Sequence, residues 1–120
     1  MKKVLLTLIL LFVFSPNITE ATEVSFLNFC KYLEADSEEL TKDEKAITIS
    51  CVAFIKGVVE THSALVLQKE IKPQFCKPPK ATHGQIGLKY LEYSRKTPPK
   101  SYQNEAEYLL QALKTIYPCK

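Results

Sequence analysis

Cysteine is the residue type in this sequence whose number and spacing most directly predict covalent chemistry. The four cysteines are Cys30, Cys51, Cys76 and Cys119. None of them belongs to a Cys-x-x-Cys pair of the kind found in zinc sites, and His62 and His83 are not placed to complete such a site. An even number of cysteines in a small exported protein is typical of disulfides, and four cysteines allow three pairings. We therefore expect two disulfide bonds and no metal.

The other residues that could do acid-base or nucleophilic chemistry lack suitable neighbours. Glu60 and His62 are too close in sequence to lie on the same face of a helix. His62 falls on an apolar helical stripe, which predicts a core or boundary histidine, whereas His83 is expected at the surface in the first turn of a helix. No serine lies in a Gly-x-Ser-x-Gly elbow. The sequence thus predicts a protein that is not an enzyme and that needs no cofactor.

The first 21 residues have the features of a secretory signal peptide. Lys2 and Lys3 precede an apolar run from Val4 to Phe14, and small residues near Ala21 suit cleavage. The apolar run is shorter than the roughly 20 residues that span a bilayer. We expect no later run to be apolar enough for stable membrane association once the signal is removed. The prediction is cleavage near Ala21 and one exported domain, residues 22–120, in the periplasm.

The charge of the chain is nearly balanced overall but unevenly distributed. A formal net charge of +3 does not point to nucleic acid as a partner. Acidic residues crowd one connection: Glu34, Asp36, Glu38, Glu39, Asp43 and Glu44. Basic residues dominate a later stretch: Lys69, Lys72, Lys77, Lys80, Lys89, Arg95, Lys96 and Lys100. This pattern predicts an acidic end and a basic end, although ordinary solvated loops and helix faces also explain most of these charges.

The apolar pattern in the first half of the exported domain predicts two helices. A short first helix follows from Phe26, Cys30 and Leu33. A second helix begins near Thr41, whose side chain can cap it. Its apolar residues recur at helical spacing: Ile47, Cys51, Phe54, Val58 and Leu65, widened by Ile49, Val52 and Ile55. A run of β-branched residues would also suit a strand, but the length of the pattern favours a helix. We expect this helix to be central and the most buried, with Gly57 permitting a close helix crossing.

The second half of the domain predicts two more helices that prolines separate. Pro73 and the pair Pro78-Pro79 indicate a connection from about residue 70 to residue 81. Thr82 and Gln85 then form a potential capping box for a third helix, which Pro98-Pro99 ends. The third helix has an apolar face of Ile86, Tyr90 and Tyr93. The last helix has the clearest pattern: Tyr102, Ala106, Leu109, Leu110, Leu113 and Tyr117. The fold class is therefore predicted to be a small, disulfide-stabilised all-α bundle of about four helices.

The order of these helices favours one of the three cysteine pairings. An antiparallel hairpin brings together residues that are about equally far from its turn. Cys30 and Cys51 lie on either side of the acidic connection. Cys76 precedes the third helix, and Cys119 follows the fourth. We predict the disulfides Cys30–Cys51 and Cys76–Cys119, each worth roughly 3–4 kcal/mol in the chain-entropy model.

Several short phrases occur in a characteristic order between residues 51 and 119. Residues 51–57 read Cys-Val-Ala-Phe-Ile-Lys-Gly, similar to a Cys-x-x-aromatic-Ile-x-Gly helix in which Phe54 stands where tyrosine is common. Residues 75–78 and 82–85 provide Phe-Cys-x-Pro and Thr-x-x-Gln phrases, and the chain closes on Tyr-Pro-Cys at residues 117–119. In this order they resemble the Rap/Tai family of periplasmic immunity proteins, which neutralise cell-wall amidase toxins delivered by type VI secretion.

The resemblance implies an all-α fold, often dimeric, that occludes the active site of an amidase by binding alone. The implied partners are a cognate peptidoglycan amidase toxin and a second copy of the chain. Two segments are the expected contact surfaces, because aromatic anchors and complementary charge are common in tight interfaces. They are the acidic connection with Glu38 and Glu39, and the turn with Tyr93, Arg95 and Tyr102.

A periplasmic acid-stress chaperone similar to HdeA is the alternative, since such proteins are also small, helical, disulfide-bonded and dimeric. Residues 30–33, Cys-Lys-Tyr-Leu, followed by an acidic turn, resemble that fold loosely. A chaperone of this kind exposes apolar surface when its carboxylates become protonated and its dimer contacts weaken. The Phe-Cys-x-Pro and Tyr-Pro-Cys phrases favour the immunity protein.

Overall fold

The computed structural model describes residues 26–101 and 103–120, which form four α-helices. The helices are α1 (Leu27–Cys30), α2 (Lys42–Leu67), α3 (His83–Lys96) and α4 (Glu105–Ile116). No strand occurs in these residues, and the predicted all-α class is confirmed. The predicted signal peptide, its cleavage site and Tyr102 lie outside the described residues.

Side-chain caps explain where the three longer helices begin. Thr41 accepts a hydrogen bond from the Glu44 amide, and the Glu44 carboxylate accepts one from the Thr41 amide. Thr82 and Gln85 form the same reciprocal pair at the start of α3, as predicted. Both capping boxes satisfy amides that the first turn of a helix leaves unpaired. Asn104 caps α4 through its side-chain oxygen.

α2 ends in a turn that requires an unusual backbone conformation. The Glu70 amide donates to the Leu65 carbonyl, and the Lys69 amide donates to the Val66 carbonyl. These are the two hydrogen bonds of a Schellman motif. Lys69 has a φ of 61°, in the left-handed region where glycine is usual. The turn satisfies carbonyls at the end of α2 and starts the connection to α3.

The core lies where α2, α3 and α4 meet. Its largest fully buried side chains are Tyr90, Tyr108, Ile55, Ile86, Leu109 and Leu113. The Tyr108 hydroxyl donates a hydrogen bond to the Thr97 carbonyl at 2.7 Å, which satisfies its polar end. Burial of such side chains, about 1.5–3 kcal/mol each, is the main stabilising term of a fold this small.

Both disulfides have the predicted pairing. Cys30 is bonded to Cys51, which joins the end of α1 to the middle of α2. Cys76 is bonded to Cys119, which joins the α2–α3 connection to the C-terminal end of the chain. The first disulfide is fully buried, whereas Cys76 and Cys119 are exposed. The two cross-links therefore stabilise different parts of the molecule, one the interior and one the surface.

The prediction that α2 is the most buried helix was wrong. α2 is central, because it contacts the other three helices. Only four of its 26 residues are buried, however: Cys51, Ile55, Val59 and His62. Ile49, expected on the buried stripe, is 67% exposed. The partner helices are all much shorter than α2, so they cover only part of its apolar surface.

The close helix approach occurs at Gly87 of α3, and its prediction at Gly57 was wrong. A Cβ atom at Gly57 would meet no neighbouring heavy atom within 4 Å. A Cβ atom at Gly87 would lie 2.6 Å from Cδ1 of Leu33 and 3.1 Å from Cδ1 of Ile55. Gly87 therefore allows α3 to approach α2 and the segment after α1. Among the described residues, none comes within 4 Å of a Cβ at Gly57, so no close helix crossing is made there.

By length and composition alone, α2 is apolar enough to cross a membrane. The expectation that no run after the signal has this composition was therefore wrong. Within the described residues α2 packs against all three other helices, and a buried disulfide ties it to α1. The central helix of a globular domain has the same properties.

Candidate functional site: an acidic loop and an apolar groove

The acidic loop, residues 31–41, connects α1 to α2 and carries the predicted contact residues Glu38 and Glu39 at the surface. The Asp36 carboxylate accepts a hydrogen bond from the Glu38 amide at 3.0 Å. The Glu39 amide donates to the Asp36 carbonyl at 3.1 Å. Aspartate favours turns of this kind because its side chain can bond to the backbone two residues later. The turn therefore presents two adjacent exposed glutamates in a defined backbone conformation.

Three contacts fix the acidic loop. The buried disulfide joins Cys30, just before the loop, to Cys51 in α2. The Arg95 guanidinium, near the end of α3, donates two hydrogen bonds to the Glu34 carboxylate at 2.8 and 2.6 Å. The Thr41 capping box fixes the point at which the loop enters α2. Because the arginine binds with two nitrogens, this pair also fixes the orientation of the carboxylate.

The same contacts set the pKa values of two carboxyl groups. Hydrogen bonding from Arg95 holds the pKa of Glu34 below its ordinary value, and attraction to the guanidinium adds to the effect. The hydrogen bond from the Thr41 amide likewise lowers the pKa of Glu44. Both carboxylates therefore stay ionised in mildly acidic solution. Glu34 therefore keeps its negative charge, and its pair with Arg95, across the pH range in which a histidine titrates.

The second predicted contact segment lies beside the acidic loop, because Arg95 bonds to Glu34. Tyr93, two residues earlier, is half-buried: its ring centroid is 5.9 Å from that of Tyr108. The Tyr93 hydroxyl accepts a hydrogen bond from the Gln111 side chain at 3.4 Å. Tyr93 thus packs against α4 with only part of its ring accessible. The structure brings Arg95 and the acidic loop together, while Tyr102 is not among the described residues.

In the described part of the chain, an apolar groove of about 510 Å³ lies between α2, α4 and the α2–α3 connection. The α2 residues that line it are Phe54, Gly57, Val58, Thr61, His62 and Leu65. Ile71 and Gln74 of the α2–α3 connection and Ala106 and Leu110 of α4 complete the lining. The lining is almost entirely apolar, so the groove suits contact with another apolar surface.

Two of the lining residues are small: Gly57 has no side chain and Ala106 has only a methyl group, and a Cβ at Gly57 would meet no heavy atom within 4 Å. At one end the Phe26 ring packs on Phe54, with 4.0 Å between the centroids. The Phe26 amide donates to the Glu105 carboxylate at 2.7 Å, which fixes this end against α4. On another side the groove is bounded by residues 71–74 of the connection. One boundary is thus helical and another is a segment of loop.

His62 lines the groove and is 8% exposed, which confirms the predicted core or boundary position. Its Nε2 accepts a hydrogen bond from the Gln74 amide at 3.0 Å. Its ring stacks on that of Phe75, with a centroid separation of 4.1 Å. Burial lowers the pKa of His62 below the ordinary histidine value. His62 therefore attaches the loop boundary of the groove to α2 through a neutral imidazole.

The second histidine of the chain, His83, lies at the start of α3. His83, predicted at the surface of the first turn of α3, is partly buried, with Nε2 3.5 Å from the Glu60 carboxylate. Among residues 26–101 and 103–120, no group of three or more His, Cys, Asp or Glu side chains could hold a metal ion. The arrangement suits binding, through a charged loop and an apolar groove.

Sequence reasoning located the acidic loop but missed the groove. The stripe of Phe54, Val58 and Leu65 was predicted to lie in the core, yet all three are only partly buried. The buried side of α2 is centred on Ile55 and Val59. The width of the apolar stripe was visible in the sequence, but it does not show how much of the stripe the shorter helices cover.

Comparison with curated proteins and with solved structures found no match. The family of Rap1a immunity proteins matches residues 22–119. The matched region includes all four helices and both disulfides. It also includes the acidic loop and every residue that lines the groove. The match confirms the resemblance found in the short phrases, and the chain belongs to the Rap1a immunity protein family.

Proposed function

We propose that this protein is a periplasmic immunity protein that occludes the active site of a peptidoglycan amidase toxin delivered by type VI secretion. Membership of an immunity protein family supports a role in binding a cognate toxin. Two disulfides agree with an oxidising compartment such as the periplasm. The observation that carries the proposal is the acidic loop, which is exposed, negatively charged and held by a disulfide, an ion pair and a helix cap.

The acidic loop suits rapid and tight binding for two physical reasons. A loop that is already fixed loses little conformational freedom when it binds, so more of the contact energy appears as affinity. Negative charge accelerates encounter with a positively charged surface and orients the partner. We therefore assign Glu38 and Glu39 to contact with basic residues around the amidase cleft. The loop itself would exclude the peptide substrate, and the immunity protein would do no chemistry.

The turn with Tyr93, Arg95 and Tyr102 is the second part of the proposed toxin contact. Arg95 is bonded to Glu34, so its proposed role is to position the acidic loop. Tyr93 would contribute the exposed part of its ring as an aromatic anchor. Replacing all three residues by alanine should weaken neutralisation, measured as survival of cells that make the toxin in the periplasm. Full neutralisation by this variant would remove the turn from the contact surface.

We assign the groove to association with a second copy of the chain. Phe54, Val58 and Leu110 are apolar and only partly buried in the single chain. Covering apolar surface stabilises an interface by roughly 25 cal/mol per Å² removed from water. The acidic loop shares no residue with the groove. A dimer formed through the groove would therefore leave the proposed toxin contact free.

The proposal that the bound toxin is an amidase can be tested by directing candidate toxins to the periplasm of cells that make this protein with its signal. The candidates are the secreted products of neighbouring genes. We expect one to lyse cells that lack the protein and to spare cells that contain it, with peptide-bond cleavage in isolated peptidoglycan stopped by the purified protein. Protection against a toxin that cuts glycan strands or lipids would contradict the amidase assignment.

The contact surface can be tested by reversing charge in the acidic loop. The double variant Glu38→Lys, Glu39→Lys should raise the toxin Kd at least tenfold, because attraction becomes repulsion. Glu70→Lys is the matched control for the single change Glu38→Lys, since each reverses one exposed charge, and Glu70 follows α2, a helix about 39 Å long, at its opposite end. Equal effects of the two changes would show that only net charge matters and would contradict a specific contact.

The acid-stress chaperone is the alternative function, and the open apolar groove is the observation that favours it. Such a protein should suppress aggregation of unrelated clients near pH 2–3 without any toxin. The lowered pKa of Glu34 keeps its pair with Arg95 intact in mild acid, which opposes early release of the acidic loop. Client protection at that pH, together with failure to bind any neighbouring secreted toxin, would favour the chaperone over the immunity protein.

A further inference from the structure

The boundary of the groove formed by residues 71–75 is attached to α2 through His62. The Nε2 atom of His62 accepts the hydrogen bond from the Gln74 amide at 3.0 Å. The next residue, Phe75, is buried and stacks on the imidazole. Ile71 and Gln74 both line the groove, so this attachment sets the position of the boundary.

The hydrogen bond requires a neutral imidazole. An Nε2 atom that accepts from an amide carries no proton, so the proton of the neutral ring is on Nδ1. Protonation would place an N–H group on Nε2, opposite the N–H group of Gln74. The two donors would face each other, and the hydrogen bond would be lost. Burial opposes the charged form as well, because few water molecules reach the ring.

The groups around His62 offer little negative charge to offset the positive charge of a protonated imidazole. Lys77 of the α2–α3 connection lines a second cavity that His62 also borders. Its Nζ is positively charged and donates to the carbonyls of Pro78 and Ala81. From α4, the groove neighbours are the uncharged Ala106 and Leu110. On α2 itself, Glu60 is 3.5 Å from His83 of α3. No carboxylate lines either cavity that His62 borders in the described chain.

We propose that His62 makes the groove sensitive to pH: its protonation releases residues 71–75 from α2 and widens the groove, while the turn at residues 68–70 stays bonded to α2. The release ends at Cys76, because this residue is bonded to Cys119 and its amide donates to the Tyr117 carbonyl at 2.8 Å. Ile71 then leaves the edge of the groove, and more of Leu65 becomes accessible. The proposal concerns the conformation of the chain and stands independently of the identity of the toxin.

The direction of the pH effect follows from the sign of the shift. The pKa of His62 is lower in the folded chain than the ordinary value of about 6.5. The stabilising contribution of the neutral ring is therefore fully present above about pH 6.5. It is lost as the pH falls below that value through the folded pKa.

Nuclear magnetic resonance of the mature, disulfide-bonded protein tests the proposal between pH 7.5 and 4.5. The Gln74 amide shift should follow the same midpoint as the His62 ring, below pH 6.5. Exchange of the Gln74 amide, corrected for its intrinsic pH dependence, should accelerate at least tenfold at the acidic end. The Tyr117 amide, which donates to the Leu113 carbonyl at the end of α4, should show no such acceleration.

Two histidine variants separate the proposed contact from a general effect of acid. His62→Gln retains an acceptor that does not titrate, so the midpoint in the Gln74 signal should vanish. His83→Gln removes the other histidine and should leave that midpoint unchanged. If His62→Gln fails to fold, the wild-type titration and His83→Gln still decide the question. A Gln74 amide that stays constant while His62 titrates, or a His62 that remains neutral down to pH 4.5, would overturn the proposal.

Discussion

The two connections that flank α2 are both tied by disulfides, but they are fixed in different ways. The acidic loop is closed by the buried Cys30–Cys51 bond and by a carboxylate, Glu34, that stays charged in mild acid. The α2–α3 connection is tied by the exposed Cys76–Cys119 bond and by His62. The acidic loop should therefore keep one conformation over a wide pH range, whereas the boundary of the groove should not. A rigid charged loop suits toxin capture, and an adjustable apolar groove suits association between copies.

Removing the disulfides separately should have the largest effect and would test this difference directly. Chain entropy alone makes the longer Cys76–Cys119 loop worth slightly more, about 4 kcal/mol against about 3.3 kcal/mol for Cys30–Cys51. Replacing Cys30 and Cys51 by serine also places unpaired hydroxyls in the core, which costs about 1–3 kcal/mol each. We expect this double variant to lose more free energy of unfolding in urea than Cys76→Ser, Cys119→Ser.

A larger loss of free energy of unfolding in Cys76→Ser, Cys119→Ser than in Cys30→Ser, Cys51→Ser would show that the length of the closed loop matters more than the burial of the disulfide. Reduction offers a second measurement of the same comparison, because the exposed bond is accessible to a thiol in the native state. Mild reductant should open Cys76–Cys119 well before Cys30–Cys51, as followed by alkylation and mass spectrometry. Simultaneous loss of both bonds would indicate that the chain unfolds globally before either one reacts.

Filling the groove should have the next largest effect. Gly57→Arg places a long charged side chain where an added Cβ meets no neighbour, so the fold should tolerate it. We expect the dimer Kd in analytical ultracentrifugation to rise at least thirtyfold. Gly84→Arg is the matched control, because a Cβ at Gly84, in the first turn of α3, also meets no neighbour within 4 Å. If both variants self-associate like the wild type, the dimer does not use the groove.

Alanine at Gly57 and alanine at Gly87 should change stability in opposite directions. Gly57→Ala should raise the free energy of unfolding by up to about 1 kcal/mol, since alanine favours helix and the site is open. Gly87→Ala should lower it, because overpacking against Leu33 and Ile55 costs about 1–3 kcal/mol and outweighs the helix preference. Thermal unfolding of the two variants measures the contrast. Equal stabilisation would mean that Leu33 moves aside freely.

Removing the threonine caps should have the smallest effect. Thr41→Ala and Thr82→Ala should each cost about 1 kcal/mol, the usual loss for an N-cap. Thr41→Ala should in addition loosen the acidic loop, because this cap fixes the entry into α2. Backbone amide exchange at Glu38 and Glu39 should rise in Thr41→Ala and not in Thr82→Ala. A rise in both would indicate a general loss of stability.

Local signals made most of the fold predictable from the sequence. Capping residues and prolines placed α3 and the α2–α3 connection, because these residues act on the backbone beside them. The hairpin order placed both disulfides, since chain geometry leaves little choice once the helices are known. The acidic loop was evident from its charge. Its contact with Arg95, 61 residues later, depends on how α3 packs and has no local signal.

The groove could not be predicted because it depends on which apolar residues of α2 are left partly exposed by the other described helices. Helical periodicity identifies an apolar stripe but does not show how much of that stripe other helices will cover. Gly57 lies within an apolar helical pattern and was predicted to permit a close helix crossing, yet the close approach occurs at Gly87. The bond between His62 and Gln74 likewise depends on a turn at Lys69 whose left-handed conformation is unusual for lysine. Tertiary arrangement, which periodicity does not encode, decided all three cases.

The central claim is that the acidic loop binds the toxin while the groove serves a separate association. Calorimetric titration of the cognate toxin with the wild type, the double variant Glu38→Lys, Glu39→Lys, and Gly57→Arg tests it most directly. We predict that charge reversal raises the toxin Kd at least tenfold, whereas Gly57→Arg leaves it within about twofold. A toxin Kd that is unchanged by charge reversal and lost in Gly57→Arg would place the toxin in the groove and contradict the account.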